Sequence, residues 1–194
     1  MPLSFIHAAD FHLGANLRRF GSARTHLEMA QFRALELTLE AAVARRTDFV
    51  LICGDLFDCR NPTPAIIEKT QSIFSSFSEV TVFVLPGTHD FLSDGSIFSP
   101  SQKAWAPANV IILNGKQPMP LHLADSKAYL YFRPNHTNRS TRSPIHDFRR
   151  WQDNGYHIGL AHGSLKLGGP GIDSDFPIDP ADIEKSGLDF LALG

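Results

Sequence analysis

Four short motifs place aspartate and histidine in types and spacings that suit metal chemistry: Asp10-Phe11-His12, Gly54-Asp55-Leu56-Phe57-Asp58, Gly87-Thr88-His89-Asp90 and Ala161-His162-Gly163. Mixed carboxylate and imidazole donors suit Mn²⁺, Fe²⁺ or Zn²⁺ better than Ca²⁺. Two such ions held about 3.5–4 Å apart clamp a phosphate and bring the pKa of water near neutrality, the usual arrangement for in-line attack on a phosphate ester. Asp10 and His12 are two residues apart, so on an extended segment they point the same way and can grip one ion together. The two oxygens of Asp55 reach in different directions and can bridge a pair of ions. Each motif also has a plainer reading. Asp55 and Asp58 are residue types favoured in turns and helix caps, His89 could be satisfied by Asp90, and His162 could simply hydrogen-bond to backbone. The joint occurrence of all four, each directly after an apolar run, is what favours a shared site.

The elements that must position these residues alternate short apolar runs with helical stretches, the pattern of an α/β sandwich. Leu3–Ala9 reads as a strand that delivers Asp10 and His12. A helix is expected from about Thr25 to Arg46, with Phe32, Leu35, Leu39 and Ala42 spaced for one buried face. Further strands are expected at Asp48–Cys53, Val80–Leu85, Val110–Leu113, Lys127–Phe132, Tyr156–Ala161 and Leu188–Leu193, and a second helix at Pro64–Phe77. Arg133 to Asp153 is polar and arginine-rich, with one helical turn expected around Ile145–Trp151. A Gly/Pro-rich loop runs from Gly163 to Gly171. Loops at the carboxyl ends of strands collect on one rim, which gathers Asp and His residues that are distant in sequence. The glycines permit sharp turns and close approach to an anion.

Composition sets outer bounds. The 194 residues are 43% hydrophobic and 20% charged, ordinary values for a globular protein. No apolar run approaches the roughly 20 residues needed to cross a bilayer. Asp10 stands where a signal peptide needs apolar residues, so a cytoplasmic protein with no membrane contact is expected. Cys53 and Cys59 then read as free thiols, Cys53 as a small buried residue. The net charge of −2 provides no global attraction for nucleic acid, so any such contact must be local.

The order D-x-H, G-D-x-x-D, G-N-H-D/E, G-H and G-H-x-H is similar to that of the calcineurin-like metallophosphoesterases. More narrowly, FIHAADFHLG, DFVLICGDLFD and NPTPAIIE resemble the SbcD and Mre-type DNA double-strand-break repair nucleases. The resemblance implies an αββα sandwich with mixed β-sheets and metal-dependent phosphodiester hydrolysis, most commonly with Mn²⁺. It also implies a coiled-coil ABC-type ATPase partner that gates access to DNA ends. Carried over residue by residue, Asp10 and His12 hold the first metal, Asp55 bridges, and His162 serves the second. His89 contacts the scissile phosphate and protonates the leaving oxygen. Asp58 and Asp90 orient neighbours. Two departures matter. Thr88 replaces the family's Asn, whose amide oxygen is a longer and better ligand, so occupancy of the second metal is expected to fall. The run Leu188–Gly194 resembles the strand that leads into G-H-x-H, so residues 1–194 are expected to be the N-terminal part of a nuclease domain. A polypeptide ending there would bind metal weakly, show little activity and expose a strand edge that invites a homodimer.

Arg133, Arg139, Arg142, Arg149 and Arg150, interleaved with His136, Phe148 and Trp151, read either as a strip that tracks a phosphate backbone or as a solvated loop. Arg139 and Arg142 are the candidate DNA contacts. Gly168-Gly169-Pro170-Gly171 lacks the Gly-Lys-Ser/Thr of a P-loop and reads as an active-site loop. Phe91 and Trp105 read as core residues. The leading reading is a DNA exo/endonuclease. The same site could instead serve nucleotides or phosphoproteins, and Thr88 with the missing last motif leaves a catalytically degenerate scaffold as the non-enzymatic alternative.

Overall fold

The computed structural model describes residues 2–101, 105–115, 121–123, 127–151, 154–166 and 175–194. Strand β1 (Phe5–Ala8) leads through a 3-10 segment, Arg18–Ala23, into helix α1 (Arg24–Arg45). Arg46 stops α1 by turning left-handed, and its N–H reaches back to the carbonyls of Ala42 and Val43. Then come β2 (Phe49–Cys53), α2 (Pro64–Ser76), β3 (Val82–Leu85), β4 (Val110–Ile112), β5 (Leu121–Leu123) and β6 (Ala128–Phe132). Pro64 opens α2 at its first turn, where a missing N–H costs nothing. The chain finishes with β7 (Tyr156–Ala161), β8 (Ser164–Leu165), β9 (Pro177–Ile178), α3 (Pro180–Ser186) and β10 (Phe190–Leu193).

Among the described residues these strands form two four-stranded sheets and one two-stranded ribbon. The first sheet, β1-β2-β3-β4, is wholly parallel. The second, β10-β7-β6-β5, is parallel except for the β5–β6 pair. The side-chain alternation of β2 shows why the layers stack as they do. Phe49, Leu51 and Cys53 pack into a core shared with Leu130, Phe132, Ile158 and Leu160 of the second sheet. Val50 and Ile52 face the other way, onto Leu35 and Leu39 of α1 and Phe74 of α2. With both faces covered, β2 is a continuous apolar run, as a central parallel strand must be. The outer face of the second sheet is closed by Tyr131, Ile145, Phe148 and Ile178, with Ile183 of α3 packed against them. This is the expected αββα sandwich, with one of its two large sheets mixed and the other wholly parallel where mixed sheets were expected.

The expected helices and strands are present with ends shifted by a few residues. The helical turn expected around Ile145–Trp151 is a plain turn that seats Ile145 and Phe148 against the second sheet. Helix α3 and the ribbon β8–β9 were not expected; both are too short for periodicity to mark them. Gly168-Gly169-Pro170-Gly171 and Asp153 lie outside the described residues. Cys53 is buried and Cys59 exposed, and neither is in a disulfide. Among the described residues no helix is long and apolar enough to cross a membrane.

Asp189 anchors the entry to β10. Its carboxylate accepts from the His157 N–H at 2.8 Å and from Arg150 Nη1 at 2.7 Å. Burial acts to raise its pKa, but these donors outweigh that and hold the carboxyl below its ordinary value. A depressed carboxyl contributes stability above its unfolded pKa of about 3.9 that is lost as pH falls through the folded value. Asp189→Asn is therefore expected to unfold at lower urea than wild type at pH 7, with the difference closing at pH 3.

Candidate metal centre

The motifs converge because β1, β2 and β3 are adjacent parallel strands, and main-chain hydrogen bonds continue between the loops that follow β1 and β2. Asp10 N–H donates to the Gly54 carbonyl at 3.2 Å, His12 N–H to Asp55 at 2.9 Å and Leu13 N–H to Leu56 at 2.9 Å. Asp58 N–H returns to the Leu13 carbonyl at 3.2 Å. This loop-to-loop ladder needs curled rather than extended backbone. Asp10, His12 and Asp55 all take positive φ, at 59°, 48° and 52°. Such conformations in non-glycine residues cost on the order of 1–3 kcal/mol and persist where surrounding structure enforces them.

The expectation that Asp10 and His12 project from an extended segment is thus corrected: both residues are left-handed, because the ladder pins their amides to the β2 loop. Their donor atoms join different groups. Asp10, Asp55 and His162 form one set and His12, Asp55 and His89 the other, with ligand atoms in each set within 4.8 Å of one another. Asp55 is common to both. Asp10 Oδ1 nevertheless stays 3.8 Å from His12 Nε2.

Each histidine has its Nδ1 facing an acceptor. For His12 it is Asp58 Oδ1 at 3.1 Å, for His162 the Cys53 carbonyl at 3.0 Å, and for His89 the Asp58 carbonyl at 3.2 Å. An acceptor at Nδ1 fixes the proton there in the neutral ring and leaves the Nε2 lone pair for a ligand, the outer contact typical of metal-binding histidines. His12 Nε2 lies 3.8 Å and His162 Nε2 3.4 Å from Asp55 Oδ2. The donor set therefore fits divalent cations.

Asp55 is 2% exposed. Burial alone would raise its pKa, but the His162 hydrogen bond and charge, with the His89 amide, hold it down to about 2. That amide donates to Oδ1 at 2.9 Å, and Thr88 Oγ1 donates to Oδ2 at 3.2 Å. Burial likewise acts to lower the pKa of His162, and the Asp55 carboxylate raises it instead. Asp90 is fully buried and braces the loops, accepting from Gly87 N–H at 2.7 Å and Phe57 N–H at 3.0 Å. Burial pushes its carboxyl up to about 7, with Asp55 adding in the same direction.

Sequence reasoning missed three contributors. Asn135 donates from Nδ2 to the His162 carbonyl at 3.3 Å, while its own N–H reaches Pro86. It comes after the end of β6 just as the expected site residues come after theirs, so the same strand-end rule could have found it. Gln31 Nε2 holds the His12 carbonyl at 2.7 Å from α1, and a lone helical glutamine carries no such signal. Phe91 is the third and a correction: it is half-buried and lines the cleft beside Arg60, whereas Trp105 does pack in the core.

The site opens into a cleft of about 630 Å³ lined by Asp10, Asp58, Thr88, His89 and His162, with Arg60 and Arg139 among the other walls. Arg139 is 81% exposed and 3.7 Å from Asp175. Arg142 is not a lining residue; its Nη2 lies 2.6 Å from His146 Nε2. Arg133 pairs with Asp147 and Arg150 with Asp189. The arginine-rich strip is therefore divided between structural pairs and one residue at the cleft.

A family model for calcineurin-like phosphoesterases matches residues 3–194. The protein named "Uncharacterized metallophosphoesterase YhaO" of Bacillus subtilis is 31% identical over 208 residues, which covers 99% of this chain and 48% of that protein. DNA double-strand break repair protein Mre11 of Methanosarcina acetivorans is 34% identical over 90 residues, 45% of this chain and 14% of that protein. Mre11 of Archaeoglobus fulgidus is 32% identical over 90 residues, 45% of this chain and 19% of that protein. The chain thus spans about half the length of YhaO and less of the Mre11 proteins.

Gly54 lies directly against the ring of His162. A Cβ there would come within 2.1 Å of His162 Nδ1, on a residue with φ of +91°. Gly54→Ala is expected to unfold about 1–3 kcal/mol more easily. In the folded fraction, the His162 imidazole resonances should shift in NMR spectra while those of the remote His26 stay in place.

Proposed function

Because the chain belongs to the calcineurin-like phosphoesterase family, we propose that it is the catalytic part of a metal-dependent phosphodiesterase whose substrate is DNA. The observation that carries the metal reading is the one buried carboxylate, Asp55, shared by two sets of ligand atoms. The family is typically dependent on two metal ions. Asp10, Asp55 and His162 would hold one, and Asp55 with His12 the other. Bound divalent ions supply positive charge against phosphoester oxygens and acidify water.

The protein's own groups do the rest. Asp58 holds the His12 ring through Nδ1 and keeps its Nε2 toward Asp55. Asp90 keeps the β2 and β3 loops at fixed separation. His89 is half exposed at the cleft, its Nδ1 held by the Asp58 carbonyl. In the doubly protonated ring the opposite nitrogen also carries a proton, which it would donate to the phosphate and pass to the leaving oxygen, the ring ending neutral with its remaining proton on Nδ1. His89 also stands within ligand distance of His12 and Asp55, so its role is decided by whether metal survives its loss.

The DNA reading draws on the partial likeness to proteins named for DNA double-strand break repair and on Arg139 at the mouth of the cleft. By the family resemblance we extend the proposal to Mn²⁺ as the working metal and to a coiled-coil ABC-type ATPase as a partner; from the sequence we extend it to a second copy of the protein and a cytoplasmic location.

Mn²⁺ titration by calorimetry and hydrolysis of bis-p-nitrophenyl phosphate test the proposal together. A chain extended past Gly194 is expected to bind two ions and cleave the diester, and its Asp55→Ala variant to do neither. Hydrolysis of that diester without cleavage of DNA would move the substrate to a smaller phosphoester, and absence of metal binding would leave only a scaffold. His89→Asn is expected to retain both ions while kcat falls about 10²–10⁴-fold; loss of one ion would make it a ligand instead. Asp58→Asn should weaken metal affinity or activity by about 10–100-fold, the usual cost of removing a carboxylate that orients a ligand.

A further inference from the structure

Outside the ligand sets, one feature of the cleft has no part in the chemistry above. Arg60 and Phe91 come from different loops, the first after β2 and the second after β3, and both line the cleft that holds Asp58 and His89. The Arg60 guanidinium lies over the Phe91 ring, 4.9 Å from its centroid. Its Nη1 donates to Ser93 Oγ at 3.3 Å, and its main-chain carbonyl accepts from Ile97 N–H at 2.8 Å. Among the described residues no carboxylate pairs with Arg60, in contrast to Arg133 and Arg150. An exposed arginine tied to a ring and a hydroxyl, with its charge unneutralised, is an ordered cation with donors to spare. It stands one residue past Cys59 and two past Asp58, beside the candidate centre but outside both ligand sets.

We propose that Arg60, braced by Phe91, binds the phosphate next to the scissile one, so that the cleft selects a nucleic-acid strand over a lone phosphoester. The inference rests on the phosphodiesterase reading and adds its substrate determinant. A guanidinium suits the task because its planar fork meets two phosphate oxygens at once. The ring beneath reduces the side-chain freedom lost when it does so. Arg139 lies on the cleft wall contributed by the segment after β6. The cleft thus presents two arginines from different segments to a strand that enters it. A minimal diester has no neighbouring phosphate and cannot use either.

The test compares Arg60→Ala and Phe91→Leu with wild type in the full-length protein loaded with Mn²⁺. One substrate is a short single-stranded oligonucleotide and the other bis-p-nitrophenyl phosphate, with oligonucleotide binding measured in parallel by fluorescence anisotropy across a salt series. For Arg60→Ala, the oligonucleotide KM is expected to rise about tenfold. The slope of log Kd against log salt should fall by about 0.7, the value for one phosphate contact on a single strand. The minimal diester should lose no more than threefold in kcat/KM. Phe91→Leu should move the same quantities in the same direction by less, and Phe91→Tyr should restore them. Equal losses on both substrates, or an unchanged salt slope, overturn the proposal. If wild type fails to cleave the minimal diester, the phosphodiesterase reading fails on its own, and the salt slope still decides whether Arg60 touches phosphate.

Discussion

The candidate site depends on main-chain hydrogen bonding between parallel strands that does not stop where the strands stop. β1 and β2 pair residue for residue from Phe5 with Phe49 to Ala8 with Ile52. Past the strand ends, single main-chain hydrogen bonds join Asp10 to Gly54 and His12 to Asp55, and the loops meet again in a bridge between Leu13 and Phe57. Two loops are thereby joined into one piece, on which backbone contacts and neighbouring side chains such as Asp58 together aim the donor atoms. The three left-handed residues, Asp10, His12 and Asp55, are what this junction costs locally. The apolar layers on either side of β2 hold the junction in place, through Ile52 and Leu56 on the helical side and Cys53 on the other.

Upon that junction sits a buried acid. Removing a carboxylate from water is unfavourable by several kcal/mol unless donors replace the lost hydration. Asp55 receives them from the His89 amide, the Thr88 hydroxyl and His162, and stays ionised far below neutral pH. Asp90, on the loop after β3, has two amide donors and no cation, and burial drives its carboxyl up to about 7. The contrast separates the two acids by task. Asp55 keeps a charge that a cation can use, and Asp90 serves as a brace whose main work is holding Gly87 and Phe57. Glycine at position 87 belongs to the same design, since a Cβ there would fall 2.2 Å from Asp55 Oδ1.

Much of this was legible in the sequence, for a physical reason: apolar runs mark strands, and parallel strands deliver the residues at their carboxyl ends to one rim. That rule alone gathers Asp10, His12, Asp55, Asp58, His89 and His162, and the structure does bring them together. Backbone handedness lies beyond its reach. Nothing in Asp-Phe-His signals positive φ at both ends, because the conformation is enforced across the gap by Gly54 and Asp55, residues distant along the chain. The curled backbone places the Asp10 and His12 donor atoms in two candidate sets that share Asp55, while leaving them 3.8 Å from each other. The arginine-rich segment misled in a related way. Composition counts charges but not partners, and Arg133 and Arg150 are occupied by Asp147 and Asp189. Phe91 was misjudged because an aromatic residue beside a histidine motif fits a core or a cleft equally well until Arg60 is seen over its ring.

Thr88 stands where the family pattern has asparagine, and its surroundings show where the shorter side chain sits. Its Oγ1 lies 3.2 Å from Asp55 Oδ2 and 3.3 Å from His162 Nε2, so it stands between two groups that themselves face each other at 3.4 Å. With its proton on Asp55, the hydroxyl helps keep the carboxylate ionised. The proton of a hydroxyl is free to rotate, and the same oxygen can present a lone pair when a cation takes its place beside Asp55. An amide oxygen at this position would offer a stronger donor atom on a longer arm. The threonine keeps a donor atom in the network while weakening it. On the proposed reading, a cation beside Asp55 would be held less tightly here than by an amide oxygen, while the facing of Asp55 and His162 is retained.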